Sequence, residues 1–226
     1  MTIWNRHAHA HGTLLSEEHV PGSVTGRRAR RDEPHVAPLN ALVDQIAATG
    51  EHVPLVDPDS GGTDARVLLL GRDPRCSAAR GARMASADTN DLAAQNLSVA
   101  CADAALERTH RLHWNVVPWW LEDPGPDDAL LGRRSVAAET RRAAPHLAAL
   151  LDLLTGLEHV VLLGRAAELA WTRATAMAGH PGRDLRAVVC PHPSPLAWNT
   201  RDRATGRPNR ELTTAALSGA RESLRR

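Results

Sequence analysis

The apolar positions of this chain fall into short unbroken runs separated by longer stretches with helical spacing. Val67-Leu68-Leu69-Leu70 has no polar alternation and stops abruptly at Gly71. Such a run reads as a strand buried on both faces, the kind found in a parallel sheet. Three more follow: Leu112-His113-Trp114-Asn115-Val116-Val117, closed by Pro118; His159-Val160-Val161-Leu162-Leu163, closed by Gly164; and Leu185-Arg186-Ala187-Val188-Val189-Cys190, which runs into Pro191. Between them the period changes to that of a helix. Residues 38–50 carry Leu39, Leu42, Val43 and Ile46 at that spacing. Residues 90–107 carry Leu92, Ala93, Leu97 and Ala100, with Asn90 or Asp91 placed to cap them. A loop rich in Pro, Gly and Asp over 122–128 precedes a long helix to about residue 155, striped by Leu147, Leu150 and Leu151. Further helices are expected over 165–177 and 209–225.

Strands alternating with helices at this spacing predict right-handed crossovers and a parallel sheet covered on both faces. The expected fold is therefore α/β, a three-layer α/β/α sandwich with a central four-stranded parallel sheet, over residues 35–226. Residues 1–34 break the pattern. They hold His7-Ala8-His9-Ala10-His11 and the run Arg27-Arg28-Ala29-Arg30-Arg31 without a surrounding apolar strand, and are expected as a poorly ordered, solvated arm. In a parallel sheet all carboxyl ends face one way, and ligands bind along that rim. Asp73 just past the first strand, Asn115 at the second and His192 after the fourth can thus meet in one cleft, although they are far apart in sequence.

Composition changes this picture in two places. The net charge of +1 over 226 residues gives no global pull toward nucleic acid or membrane. All 27 basic residues are arginine, and Lys, Phe and Tyr are missing altogether. That pattern reads as a coding bias, and its consequence is that any aromatic stacking falls to tryptophan or another residue. Cys76, Cys101 and Cys190 are odd in number and widely spaced, which fits a reducing compartment and is too few for an iron–sulfur cluster. With no long apolar span and no signal-peptide core, a soluble cytoplasmic protein without cofactor or metal is expected.

The residues at the strand ends resemble a known family. Gly71-Arg72-Asp73-Pro74 is similar to the water-activating G-Q-D-P motif of the uracil-DNA glycosylase superfamily, and His192-Pro193-Ser194-Pro195-Leu196 to its H-P-S-P-L motif. Asn115 falls on the strand that supplies the family's uracil-reading Asn, and Leu163-Gly164-Arg165-Ala166-Ala167 resembles its third-strand segment. The likeness covers roughly residues 65–217. It implies a DNA glycosylase for base excision repair, acting as a monomer on a flipped uracil in DNA. Asp73 and His192 would be catalytic, Gly71, Arg72, Met84 and Asn115 would bind the substrate, and Arg75, Ser194 and Leu196 would contact DNA. Asp73 would orient water and stabilise the sugar cation, and a neutral His192 would donate to the uracil 2-carbonyl oxygen. Asn115 offers both a donor and an acceptor for the base edge. Leu196 would fill the space the base vacates.

Two positions depart from the family. Where many members place a Tyr two residues after the catalytic Asp to exclude the thymine methyl, this chain has Arg75. The Phe that stacks on the flipped base falls near Met84. Trp119 and Trp120 are further candidates for stacking, with hydrophobic packing as their ordinary role. The alternative these departures raise is a catalytically weak or silent member of the same fold. It would bind a nucleic acid or nucleotide through the arginine-rich stretch 201–210.

Overall fold

The structure, a computed structural model, describes residues 2–75, 78, 81–121, 135–178 and 185–224. The expected loop over 122–128, the first turn of the helix after it, and Cys76 lie outside the described residues. In chain order the elements are α1 (Arg6–Ala10), α2 (Ser23–Arg28), α3 (Ala37–Ala47), β1 (Leu55–Val56), β2 (Val67–Gly71), β3 (Met84–Ala85), α4 (Leu92–Asp103), β4 (Arg111–Asn115), α5 (Val136–Leu153), β5 (His159–Leu163), α6 (Arg165–Ala178), β6 (Arg186–Cys190), α7 (Pro195–Trp198) and α8 (Asn209–Ser223). The four long strands form one parallel sheet in the order β4-β2-β5-β6. The strand with the most continuous apolar run, β2, is central, as burial on both faces demands.

Side chains alternate across β2, and each face has its own core. Leu68 and Leu70 join Leu112, Trp114, Val160 and Leu162 under α3, α5 and α6. Val67 and Leu69 join Val161, Leu163 and Cys190 under α4 and α8. The fold is thus the three-layer α/β/α arrangement with four parallel strands. Asp91 caps α4, its carboxylate accepting from the backbone N–H groups of Ala93 and Ala94 at 2.9 Å each.

Sequence pattern misjudged the amino-terminal segment. Instead of a loose arm, residues 5–36 form α1 and α2 and fold back onto the domain. The Asn5 amide, fully buried, donates to the carbonyls of Ala87 and Thr89. His7 Nδ1 lies 2.9 Å from Ser98 Oγ on α4. The arginine run is largely neutralised rather than solvated. Arg27 pairs with Asp57, Asp59 and Asp88, Arg30 with Glu33 and Asp59, and Arg31 with Asp44. Arg108 reaches the same Asp88 from the other side, at 2.7 Å. Local periodicity misses this segment because carboxylates up to 61 residues distant hold it.

Candidate active site

A cavity of about 500 Å³ opens at the carboxyl end of the sheet, within the usual size of small-molecule sites. The ends of three strands supply its walls: Gly71, Arg72, Asp73, Pro74 and Arg75 after β2, Asn115 at the end of β4, and His192 and Pro193 after β6. Asp73, Asn115 and His192 therefore do converge, as the strand ends implied.

Backbone hydrogen bonds fix the turn after β2. Val116 N–H donates to the Gly71 carbonyl at 2.9 Å, and Val117 N–H to that of Arg72 at 2.8 Å. The parallel pairing thus continues past both strands and clamps the two loops together. Gly71 lies directly beside Asn115 in the β2–β4 register. A Cβ at Gly71 would collide with the Asn115 side-chain oxygen, so only glycine leaves the amide its place. The Asn115 side chain forms no hydrogen bond among the described residues. Asp73 is largely buried, its side chain 12 % exposed, and one carboxylate oxygen is paired with the Arg72 guanidinium.

His192 is braced on both sides. Thr213 on α8 donates to the Pro191 carbonyl at 3.2 Å, and the buried Asn96 on α4 donates to the Pro193 carbonyl at 2.8 Å. Gly164, with φ at +90°, permits close approach, since a Cβ there would come within 2.8 Å of His192 Cβ. The Ser194 N–H donates to His192 Nδ1 at 3.0 Å. An imidazole that accepts at Nδ1 carries its proton on Nε2 when neutral. Desolvation, followed by the nearby Arg75 and Arg72 charges, holds the ring below its ordinary pKa, while Asp73 and Asp91 oppose that shift. The net effect is a neutral ring with one N–H to offer.

The remaining expected residues divide. Arg75 lines the rim, exposed, with its guanidinium 3.5 Å from Asp91. Ser194 precedes the short α7, and Leu196 within it is 82 % exposed beside the cavity wall formed by His192 and Pro193. Met84 does not reach the cavity: it is 0 % exposed and packs with Leu15, Val24 and Ala82. In the short parallel pair β1–β3, alternation turns Met84 inward and brings Ala85 to the lining instead, with Ser86 and Ala87 following past the end of the strand. The tryptophan pair divides too. Trp119 is buried against Glu139, its indole N–H donating at 2.8 Å, whereas the half-buried Trp120 lines the cavity. Sequence reading also passed over Asn96 and His113, for which composition and spacing gave no signal.

A family model described as the uracil DNA glycosylase superfamily matches residues 58–216. No curated protein matches the chain. The matched region contains all four strands of the main sheet and every residue that forms the strand-end walls of the cavity. The chain belongs to the uracil DNA glycosylase superfamily.

Proposed function

We propose that this superfamily member is a DNA glycosylase that hydrolyses the N-glycosidic bond of uracil, and of some modified pyrimidines, in DNA. The observation that carries this reading is the meeting of a carboxylate, an open amide and a singly protonated imidazole around one cavity. Breaking the C1′–N1 bond leaves positive charge on the sugar and sends the bonding electrons into the base, where negative charge gathers on the 2-carbonyl oxygen. His192 Nε2–H is the donor for that oxygen, and its preset tautomer spares reorganisation at the moment of reaction. One oxygen of Asp73 is held by Arg72. The other faces the sugar side, orients the attacking water, stabilises the cation and receives the proton as the C1′–O bond forms. The Asn115 amide reads the imide edge, accepting from N3–H and donating to O4, a pattern cytosine cannot match. Leu196, exposed on its short helix, is the wedge that enters the stack when the base leaves it.

Incubation of the chain with uracil-containing single- and double-stranded oligonucleotides should yield alkali-labile sites. Asn115→Asp should lower uracil excision by about 10-fold or more relative to cytosine, since an ionised carboxylate offers no donor to O4. If DNA is bound and no site is cleaved, the chain is a binding module on the same fold. Arg72, whose guanidinium competes with water for Asp73, would then be the residue to examine.

A further inference from the structure

The cavity wall between β3 and α4 has the amino-terminal segment directly behind it. Over residues 84–91 the side chains divide between two sides. Ala85, Ala87, Thr89 and Asp91 line the cavity. Met84, Asp88 and Asn90 turn to the amino-terminal segment instead. Met84 packs with Leu15 and Val24. The Asp88 carboxylate accepts from the Thr13 hydroxyl at 3.0 Å, and the Asn90 side-chain oxygen accepts from the N–H groups of Trp4 and Asn5 at 2.9 and 3.2 Å. The backbone is held from the same side. The successive carbonyls of Ala87, Asp88 and Thr89 all accept from the amino-terminal segment, the middle one from Leu15 N–H at 2.9 Å. The outer two share one side chain. Asn5, 0 % exposed, donates from its amide nitrogen to Ala87 at 2.8 Å and to Thr89 at 3.0 Å, while its oxygen caps α1 by accepting from Ala8 N–H at 3.0 Å. Both amide hydrogens and the oxygen are thus committed, which fixes the orientation of the group.

That backing matters because of what the wall is made of. Its cavity side offers Ala85, Ser86, Ala87 and Thr89, in a chain that has neither Phe nor Tyr to serve as a platform. Such short side chains cannot close a gap by changing rotamer. The surface a ligand meets is therefore set by the backbone, and the backbone by its hydrogen bonds. Contact energy falls steeply with separation, a gap of about 0.5–1 Å forfeiting a quarter to a half of it.

We propose that Asn5 is a positioning residue for substrate binding: by holding the Ala87 and Thr89 carbonyls from behind, it fixes the wall against which the flipped base lies. This rests on the glycosylase reading above. The amino-terminal segment is then part of the base pocket, although Asn5 itself does not line the cavity. Because Asn5 acts through the wall and not on Asp73 or His192, its loss weakens the hold on substrate and transition state alike. Such a loss raises the half-saturating concentration and spares the rate at saturation.

The test measures single-turnover excision of uracil from oligonucleotides over a range of protein concentrations, together with calorimetric binding of free uracil. The native chain is compared with Asn5→Ser, Asn5→Asp and Ile46→Ala. Serine still caps α1 but is too short to bridge both carbonyls, and aspartate keeps the shape and the cap but, when ionised, donates to neither. Ile46→Ala destabilises the opposite core by packing alone and serves as the control. Both Asn5 variants should raise the half-saturating concentration by about 10-fold and leave the saturating rate within about 3-fold. Ile46→Ala should leave both within about 3-fold. Where Asn5→Asp does not fold, Asn5→Ser carries the test. Unchanged kinetics in Asn5→Ser, or a saturating rate that falls with the half-saturation term, would overturn the proposal while leaving the glycosylase reading in place. If no oligonucleotide is cleaved, the glycosylase reading fails and calorimetry decides. A uracil affinity that Asn5→Ser weakens by about 10-fold and Ile46→Ala does not upholds the role of Asn5, and equal affinities or no binding by the native chain overturn it.

Discussion

Two polar clusters touch at Ser86 and are built on opposite principles. On one side Ser86 Oγ donates to Asp57 within the clasp that ties the amino-terminal segment to the domain. On the other side Ser86 lines the cavity. In the clasp each of Asp57, Asp59 and Asp88 has an arginine partner, although burial still pushes the Asp57 carboxyl up. Asp88, fully buried, accepts from both Arg27 and Arg108. Burial alone would push its carboxyl up, yet the hydrogen bonds and charges of those two arginines hold it below its ordinary value. In the cavity the Asn115 amide and the His113 ring remain without partners among the described residues. Satisfied networks fix a single structure, whereas open polar groups destabilise it until a ligand completes them. The difference separates the residues that hold this molecule together from those available for chemistry.

The sharpest way to break the comparison is to unbalance the clasp. Asp88→Ala removes the buried carboxylate shared by Arg27 and Arg108, leaving Arg27 with Asp57 and Asp59, and should lower unfolding free energy by about 3 kcal/mol or more in urea titration. The catalytic rate of the molecules that remain folded should stay close to native. A loss below about 1 kcal/mol would mean that the clasp is a solvated surface network after all.

Asp73→Asn probes the other side and should show the reverse profile. Single-turnover excision should fall on the order of 100-fold, equivalent to about 2.7 kcal/mol in the barrier, with the melting temperature nearly unchanged. A rate that stays put would remove Asp73 from the chemistry.

The cavity histidines give the comparison a pH dependence. His113 and His192 both have folded pKa values below their ordinary one. Once pH drops below about 6.5, the unfolded chain binds protons that the folded chain refuses, so acidification favours unfolding. Stability should therefore be flat above that point and fall as pH decreases, with the His113 contribution levelling off only near pH 3. The decline in denaturant midpoint between pH 6.5 and 4 should be visibly shallower for His113→Gln. Identical profiles would show that the ring titrates freely.

The smallest effect is expected at the rim. Arg75 is exposed and only loosely paired with Asp91, so Arg75→Tyr should barely move stability. It should reduce the salt dependence of DNA binding by about one unit of slope, the loss of one phosphate contact. It should also suppress excision of 5-substituted uracils relative to uracil, by walling the mouth. An unaltered slope and spectrum would make Arg75 an ordinary solvated loop residue.

What the chain's own order of residues determined is the sheet and its rim. Short apolar runs ending at Gly71, Pro118, Gly164 and Pro191 mark four strands, and parallel strands present their ends together; β2 and β5 are buried on both faces, whereas β6, at the sheet edge, is exposed along most of its length. Asp73, Asn115 and His192 were legible for that reason, because each sits at a strand end and strand ends are local signals. Tertiary structure alone decided the rest. Met84 was placed by the pairing of β3 with β1, Arg27 by carboxylates 30 and 61 residues away, and the His192 tautomer by a backbone N–H two residues on. His113 differs from its neighbours in β4 only through what the folded chain leaves opposite it. Which polar groups find partners depends on distances between segments, and hydrophobic periodicity carries no information about those distances.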